Sequence, residues 1–479
     1  MKKVVIIGGG ISGLSAAYYL KDEAQKRGID LEYALIEKNN RLGGNILTEK
    51  VNDFLIEGGP DCFIFEKPWV LELCKKLGLS DEVINTKEGS QTFILWKGRL
   101  RALPEGFILM IPTKILPFLF NSLISIFGKL RMALDLVLPK GNPNKDESLG
   151  EFVGRRFGRE VVEKIAEPLV AGIHAGDPET MSVKSGFPRF IDMEQKHRSL
   201  IIAMLKARKK AKEKESSSAK ASEDKKRQKY TMFLTLKNGL VELVEAIVEK
   251  LGKGLIMTNT SVQKIEKSPE GNSYIVHIEG NKPIEADSVI LTTPAYVSAK
   301  LIKDIDPAMA ADLEKISYVS TATVSLAFKK SDLKQPLRGF GFVVPRLEGR
   351  KIMAATFSSQ KFPFRAPEDS VLIRCFVGGS QNEELADLEE EEMVRMVRAE
   401  LADILGISAE PILAKAYKWE KAMSQRKVGH SEIVKSLDER EQQHPGLFLA
   451  GSAYEAVGLS DSVRSGELTA KEALKLLKS

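Results

Sequence analysis

The sequence predicts a mixed α/β fold: a Rossmann-like nucleotide-binding domain assembled from separated segments, a substrate domain built on a mixed sheet, and a helical lobe. Three observations predict it. The chain opens on a buried strand, a glycine turn and a helix; alternating strands follow near residues 261–296; and residues 444–479 read as strand, glycine-rich turn and helix. At 479 residues the chain exceeds one average domain, and its 43% apolar content is that of an ordinary globular protein.

In VVIIGGGISGLSAAYYL the strand covers Val4 to Ile7, and the helix runs from about Ser12 to just before Gly28. Gly8, Gly10 and Gly13 form GxGxxG. The first allows the tight turn, the second lets backbone approach a pyrophosphate, and the third lets helix and strand pack closely. Ile11 and Ser12 open the helix whose N-terminus would receive the phosphates. LEYALIEKN is a second apolar strand ending in Glu37, 24 residues beyond Gly13, with Lys38 next. A carboxylate there accepts hydrogen bonds from the ribose hydroxyls of an adenine dinucleotide.

After Glu37 stands KNNRLGGN, with Arg41, Gly43 and Gly44, then a strand-like stretch ending in FLIEGGPDCF, with Gly58, Gly59, Pro60 and Asp61. A second glycine pair beside an arginine suits a pyrophosphate gripped from two sides. This resembles the extended dinucleotide signature of amine-oxidase-like flavoproteins. The resemblance implies FAD rather than NAD, with the second glycine pair on the diphosphate and the Gly-Gly-Pro near the flavin ring. It also places Val262 against the adenine, the Thr-Thr-Pro of ADSVILTTPA beside the FAD, and Gly451, Val457, Gly458 and Leu459 at the flavin end. The terminal helix would aim its N-terminus at the flavin edge that gains negative charge on reduction. The FAD domain is then expected from residues 1–86, 231–296 and 444–479, with a helical lobe at 87–205, a flexible charged loop at 206–230 and the substrate domain at 297–443.

Together, GRLRALPEGF, EPLVAGIHAGDPETMSV, MEQKHRSLIIAMLKARK and LAGSAYEAVGLSDSVRSG resemble the oxygen-dependent protoporphyrinogen/coproporphyrinogen oxidases of haem synthesis, from Val4 to about Leu477. The resemblance implies oxidation of a porphyrinogen to the porphyrin by three two-electron hydride transfers to flavin N5, with O2 as oxidant and H2O2 released. Ser424, Ala456 and Ser460 depart from the family pattern. Because the cofactor carries the reactivity, no general base is expected, and His174 reads as structural. At Gly172 the family turns a backbone carbonyl toward the tetrapyrrole. Thr92, Arg99 and Arg101 fall in the region that anchors propionates. The resemblance also raises a homodimer and hand-off to ferrochelatase as expectations. Amine oxidases and carotenoid desaturases share the opening signature and stand as the alternatives, with a flavin-bound scaffold lacking turnover as a third. Amine oxidases need an aromatic cage, and AGSAYEAVGL offers only Tyr454.

Charge and composition exclude other classes. The net charge of +6 is carried by residues 206–229; removing the 11 Lys and Arg and the 4 Asp and Glu of that tract leaves 60 against 61. The tract reads as a solvated loop, and no nucleic-acid partner is expected. Cys62, Cys74 and Cys375 are too few and scattered for a disulfide framework or a metal site. The short apolar run after Lys2 and Lys3 argues against a signal peptide, and a cytoplasmic chain is expected to start at Met1. FILMIPTKILPFLFNSLISIFGKL is interrupted by Pro112, Lys114, Pro117 and Asn121, so it cannot span a bilayer as one helix; it is expected either to lie peripherally on the inner face of the cytoplasmic membrane or to form a buried apolar wall of the substrate cavity.

Overall fold

The apolar run at Val4–Ile7 makes the opening strand, Lys2–Ile7, which is buried on both faces from Val4 onward. After the turn at Gly8 comes the first helix, Ile11–Arg27, which stops where Gly28 turns left-handed (φ 63°) and returns its N–H to the carbonyls of Ala24 and Gln25. The strand Leu31–Ile36 lies parallel beside the first, with Val4 opposite Tyr33. The computed structural model describes residues 2–87, 91–103, 107–108, 111–112, 120–219, 230–252, 254–454 and 458–477, with backbone alone for 107–108, 111–112 and 211–219.

Five parallel strands form the nucleotide-binding sheet, in the order Leu255–Met257, Leu31–Ile36, Lys2–Ile7, Ser288–Leu291 and Leu447–Leu449. Strands from the start, middle and end of the chain thus sit side by side. One face is covered by the first helix and the terminal helix, Leu459–Leu476, which cross closely because Gly466 lacks a side chain: a Cβ there would lie 2.3 Å from the Ser12 carbonyl oxygen. On the other face lies a three-stranded antiparallel sheet of Val262–Lys267, Tyr274–Ile278 and Ile284–Ala286. Its turns fall at Gly271 and Gly280, both at positive φ.

A second, seven-stranded sheet runs Leu413–Ser424, Tyr318–Lys329, Ser370–Gly378, Ala354–Phe357, Gly341–Val343, Thr92–Trp96, Arg99–Ala102. The last two strands were expected in the helical lobe. They join this sheet instead, because Phe93 and Leu95 face its core and Thr92–Ile94 pair in parallel with Gly341–Val343. Opposite them, Ile94 packs with Val343 and Ala354 into the core of the helical lobe.

That lobe is pinned by a buried ion network. Arg156 and Asp135 are fully buried and paired, Glu194 also meets Arg156 at 3.2 Å, and Ser199 donates to Asp135 at 2.6 Å. The charged tract begins differently from expectation. Residues Leu200–Ala219 are one helix, because Ala, Leu, Lys, Arg and Glu are strong helix formers and the apolar residues at its start pack into the lobe; residues 220–229 lie outside the description. Among the described residues no helix is long and apolar enough to cross a membrane, and no cluster of His, Cys, Asp or Glu could hold a metal ion. All three cysteines are free thiols.

Candidate functional site

The glycine turn is built as the motif requires. A Cβ on Gly13 would lie 2.0 Å from the Gly8 carbonyl oxygen, so helix and turn touch backbone to backbone. Gly8 has φ 107° and packs on Thr292, whose Oγ1 donates to the carbonyls of Ile7 (3.0 Å) and Gly8 (2.9 Å). No side chain caps Gly10, so the N–H groups of Ile11, Ser12 and Gly13 at the mouth of the helix stay available. The second glycine pair docks against the first: Gly43 N–H donates to the Gly9 carbonyl at 2.8 Å, and a Cβ on Gly44 would touch Gly10 Cα at 3.0 Å.

Glu37 is buried at the end of its strand. Its Oε2 accepts from Gly9 N–H (2.7 Å) and its Oε1 from the backbone N–H (2.8 Å) and side chain (2.7 Å) of Asn39. The carboxylate is thereby fixed next to the phosphate turn, with acceptor capacity left for a sugar hydroxyl. Thr260 N–H donates to the Glu37 carbonyl, which brings Val262, half-buried at the edge of the antiparallel sheet, to the same corner. Lys38 is exposed and points to no partner in this corner. Arg41 braces the loop: its Nη1 and Nη2 donate to the carbonyls of Ile46 (2.9 Å) and Gly44 (2.6 Å). The physical reason is that a tight glycine loop leaves carbonyls without ladder partners, and a guanidinium satisfies two at once.

The far end of the chain closes on the same corner. Gly451, at φ 125°, donates its N–H to Ser465 Oγ at 2.9 Å and sits beside Ser12. Gly458, also at φ 125°, starts the terminal helix without a side-chain cap, and Leu459 is its buried first residue. Val457 lies outside the described residues. Gly466 packs the terminal helix alongside the first at the Ser12 carbonyl, and the N-termini of both helices, at Ile11 and Leu459, are uncapped.

The Gly58–Asp61 turn is gripped from the seven-stranded sheet. Thr323 Oγ1 (2.8 Å) and Trp419 Nε1 (2.9 Å) both donate to the Gly58 carbonyl, and Arg374 donates to that of Gly59. A Cβ on Gly58 would meet the Tyr417 ring at 3.0 Å, and one on Gly59 the Asn45 carbonyl oxygen at 1.7 Å. Past the half-buried Pro60, Asp61 pairs with Lys361 at 2.8 Å, and Lys361 also donates to Cys62 Sγ at 3.3 Å. Burial alone would raise the Asp61 carboxyl, but Lys361 and Arg374 beside it hold it below the usual carboxylate range. Just before the turn, burial pushes Glu57 up to about 7 despite hydrogen bonds from Thr48 and Leu240.

The expected substrate residues are spread along one face of the seven-stranded sheet. Gly172, in the helix Glu167–His174, packs where a Cβ would meet Val343 Cγ1 at 3.1 Å and Ala354 Cβ at 3.4 Å. Thr92 opens its strand on that same side, opposite Gly341. Arg101 donates to Ser122 at 2.7 Å, whereas Arg99 is exposed at the hairpin end. The structure thus brings Gly172, Thr92 and Arg101 to the interface of sheet and helical lobe and leaves Arg99 at the rim. His174 packs edge-on against Phe187; burial, with Arg426 and Lys67 nearby, pushes it down to about 4. It is neutral near pH 7. Tyr454 is buried, with its backbone carbonyl facing His430.

Sequence reasoning missed the grip on the turn. Tyr417 and Trp419 carry a signal in the alternation of KAYKWEK, but Thr323, Lys361 and Arg374 carry none, since only long-range sheet pairing brings them to Gly58 and Gly59.

The family model for flavin-containing amine oxidoreductases matches residues 11–474. The chain is 37% identical to the coproporphyrinogen III oxidase of Bacillus subtilis (strain 168), covering 99% of this chain and 98% of that one. It is 34% identical to the coproporphyrinogen III oxidase of Staphylococcus aureus, covering 99% of each. A solved structure from Exiguobacterium sp. 255-15, assigned as a protoporphyrinogen oxidase, superposes with a TM-score of 0.85 at 32% identity over 100% of this chain and 99% of that one. The chain belongs to the flavin-containing amine oxidoreductase family, with porphyrinogen oxidases among its full-length relatives.

Proposed function

We propose that this chain is an FAD-dependent oxidase that converts a porphyrinogen, coproporphyrinogen III, to its porphyrin. The observation that carries the reading is the uncapped helix N-terminus at Ile11 beside the pinned carboxylate of Glu37, with the second glycine pair docked on the same turn. A positive helix end at Ile11 and one fixed acceptor suit a dinucleotide diphosphate and its ribose, and the uncapped end at Leu459 suits the flavin edge that gains charge. Gly8, Gly10, Gly13, Gly43 and Gly44 remove side chains from the path of the pyrophosphate, and the carboxylate of Glu37 holds the ribose. When bound, FAD supplies the two-electron acceptor and passes the electrons to O2. The choice of coproporphyrinogen III is supported by the names of the Bacillus and Staphylococcus relatives.

The chain itself orients and excludes water. Gly58, Gly59 and Pro60 present backbone to the flavin, Gly172 lets the tetrapyrrole approach closely, and Thr92 and Arg101 face the propionates. Each two-electron step moves one hydride from a methylene bridge and releases one proton. Three such steps consume three O2 and give three H2O2.

A peripheral membrane contact on the cytoplasmic face is part of the proposal. Its support is a cluster of exposed apolar side chains, Phe120, Ile126, Phe127, Leu130, Leu134 and Val137, on and after the helix Ile126–Ala133. A homodimer and hand-off of product to ferrochelatase belong to the same proposal. Turnover of coproporphyrinogen III and protoporphyrinogen IX by the FAD-loaded protein, with and without detergent, tests the substrate: faster turnover of the former is expected, and turnover of neither contradicts the reading.

A further inference from the structure

Arg374 lies on the strand Ser370–Gly378 and is 4% exposed, yet its hydrogen bond runs to a backbone carbonyl, that of Gly59, and not to a carboxylate. Its guanidinium covers the Phe376 ring at 4.7 Å, and its Nε is buried without a partner among the described residues. Around it the charges do not cancel. Asp61 is taken by Lys361, and Glu57 faces Arg365, whose own hydrogen bonds go to Thr235 and the carbonyls of Leu236 and Lys237. Glu49 and Glu242 lie further out, accepting from Tyr417 and Asn238. The cavity enclosed by Glu57, Asp61, Ser325, Arg365 and Arg374 measures about 10 Å³, room for nothing larger than a water molecule. Arg374 shares Asp61 with Lys361 and makes no salt bridge to it, and a buried guanidinium with only part of an anion is costly, a cost that persists where a charge arrives from elsewhere.

We propose that Arg374 is an electrostatic positioning residue for the flavin: it fixes the Gly59 carbonyl and holds a positive charge behind the Gly58–Asp61 turn, so that the negative charge arriving with the hydride is stabilised. This deepens the reading of the site and rests on FAD abutting that turn. Lys361 helps by neutralising Asp61, which would otherwise cancel the Arg374 charge. A unit charge within roughly 10 Å at an effective dielectric of about 20 shifts an equilibrium by about tenfold or more.

The test is the two-electron midpoint potential of the FAD-loaded protein, measured for wild type, Arg374→Gln, Arg374→Lys and Lys361→Met. Arg374→Gln removes the charge and, being two bonds shorter, also the donor to Gly59; it should favour oxidised flavin by about tenfold, a drop of about 30 mV for two electrons. Arg374→Lys keeps the charge and should retain the wild-type potential. Lys361→Met leaves the Gly59 hydrogen bond in place, so a role confined to fixing the turn would leave its potential at the wild-type value. Should Arg374→Gln fail to fold, Lys361→Met carries the same expectation of a lower potential. An unchanged potential in either Arg374→Gln or Lys361→Met, or an equal drop in Arg374→Lys, overturns the inference while leaving the flavin reading intact. Wild-type protein that takes up no FAD overturns both.

Discussion

At Glu37 a single carboxylate takes hydrogen bonds from Gly9 and from both Asn39 donors while lying at the edge of the phosphate turn. Glu37→Ala removes the charged acceptor, and since such hydrogen bonds contribute about 1.5–3 kcal/mol, FAD should bind roughly 10- to 100-fold more weakly in a fluorescence titration. Unchanged affinity would place the ribose elsewhere. Titration of buried histidines adds a pH signature. His174 and His430 are both pushed down to about 4, in each case first by burial and then by the charge of Arg426. The unfolded chain protonates them near the ordinary value of about 6.5 while the folded chain resists, so stability is lost as pH falls through that window. Glu57 and Glu441, pushed up to about 7 by burial, act oppositely, taking protons in the folded state first and adding stability as pH falls. His174→Phe should therefore lose less melting temperature than wild type between about pH 6.5 and 4.5. Parallel melting curves would contradict the assignment. Glu37 and the glycines were legible in the sequence because each is a local requirement of a turn; the bonds of Arg41 to two carbonyls of its own loop show only in three dimensions.

Two elements hold the lobe that faces the sheet. The buried Arg156–Asp135 pair joins the helix Leu149–Phe157 to the turn at Leu134–Leu136, and Glu194 and Ser199 extend it to the next helices. Arg156→Met strands the Asp135 carboxylate in the core and should cost about 3–5 kcal/mol in urea unfolding; a loss below about 1 kcal/mol would show that the network is dispensable. The amphipathic helix Ile126–Ala133 answers a different question. Phe127→Glu and Leu130→Glu place charge on side chains already 80% and 61% exposed, so folding should be unaffected while co-sedimentation with anionic vesicles falls. Wild-type protein that ignores vesicles would remove the membrane contact from the proposal. At this scale, the opening strand, turn and helix were readable because periodicity changes sharply at Gly8 and Gly28. The helix Leu200–Ala219 was not, since a low-complexity run of good helix formers carries the same composition as a solvated loop.

For the whole molecule, the arrangement follows from a sheet that draws strands from the start, middle and end of one chain, so both termini close on a single corner while the intervening segments build the facing sheet and lobe. The separated segments of the nucleotide-binding sheet could be read from their strand and turn patterns. The pairing of Thr92–Trp96 with Gly341–Val343 could not, because a parallel contact spanning some 250 residues leaves no local trace. For the same reason the Arg374 grip on Gly59 is invisible until the strands are in register. The central claim is that the corner made by the two ends of the chain carries a flavin which the middle of the chain exposes to a porphyrinogen. Anaerobic addition of coproporphyrinogen III to the FAD-loaded protein, followed in the visible flavin band, tests it most directly: the account predicts bleaching on mixing and recovery on admitting air, and a band that stays unchanged would contradict it.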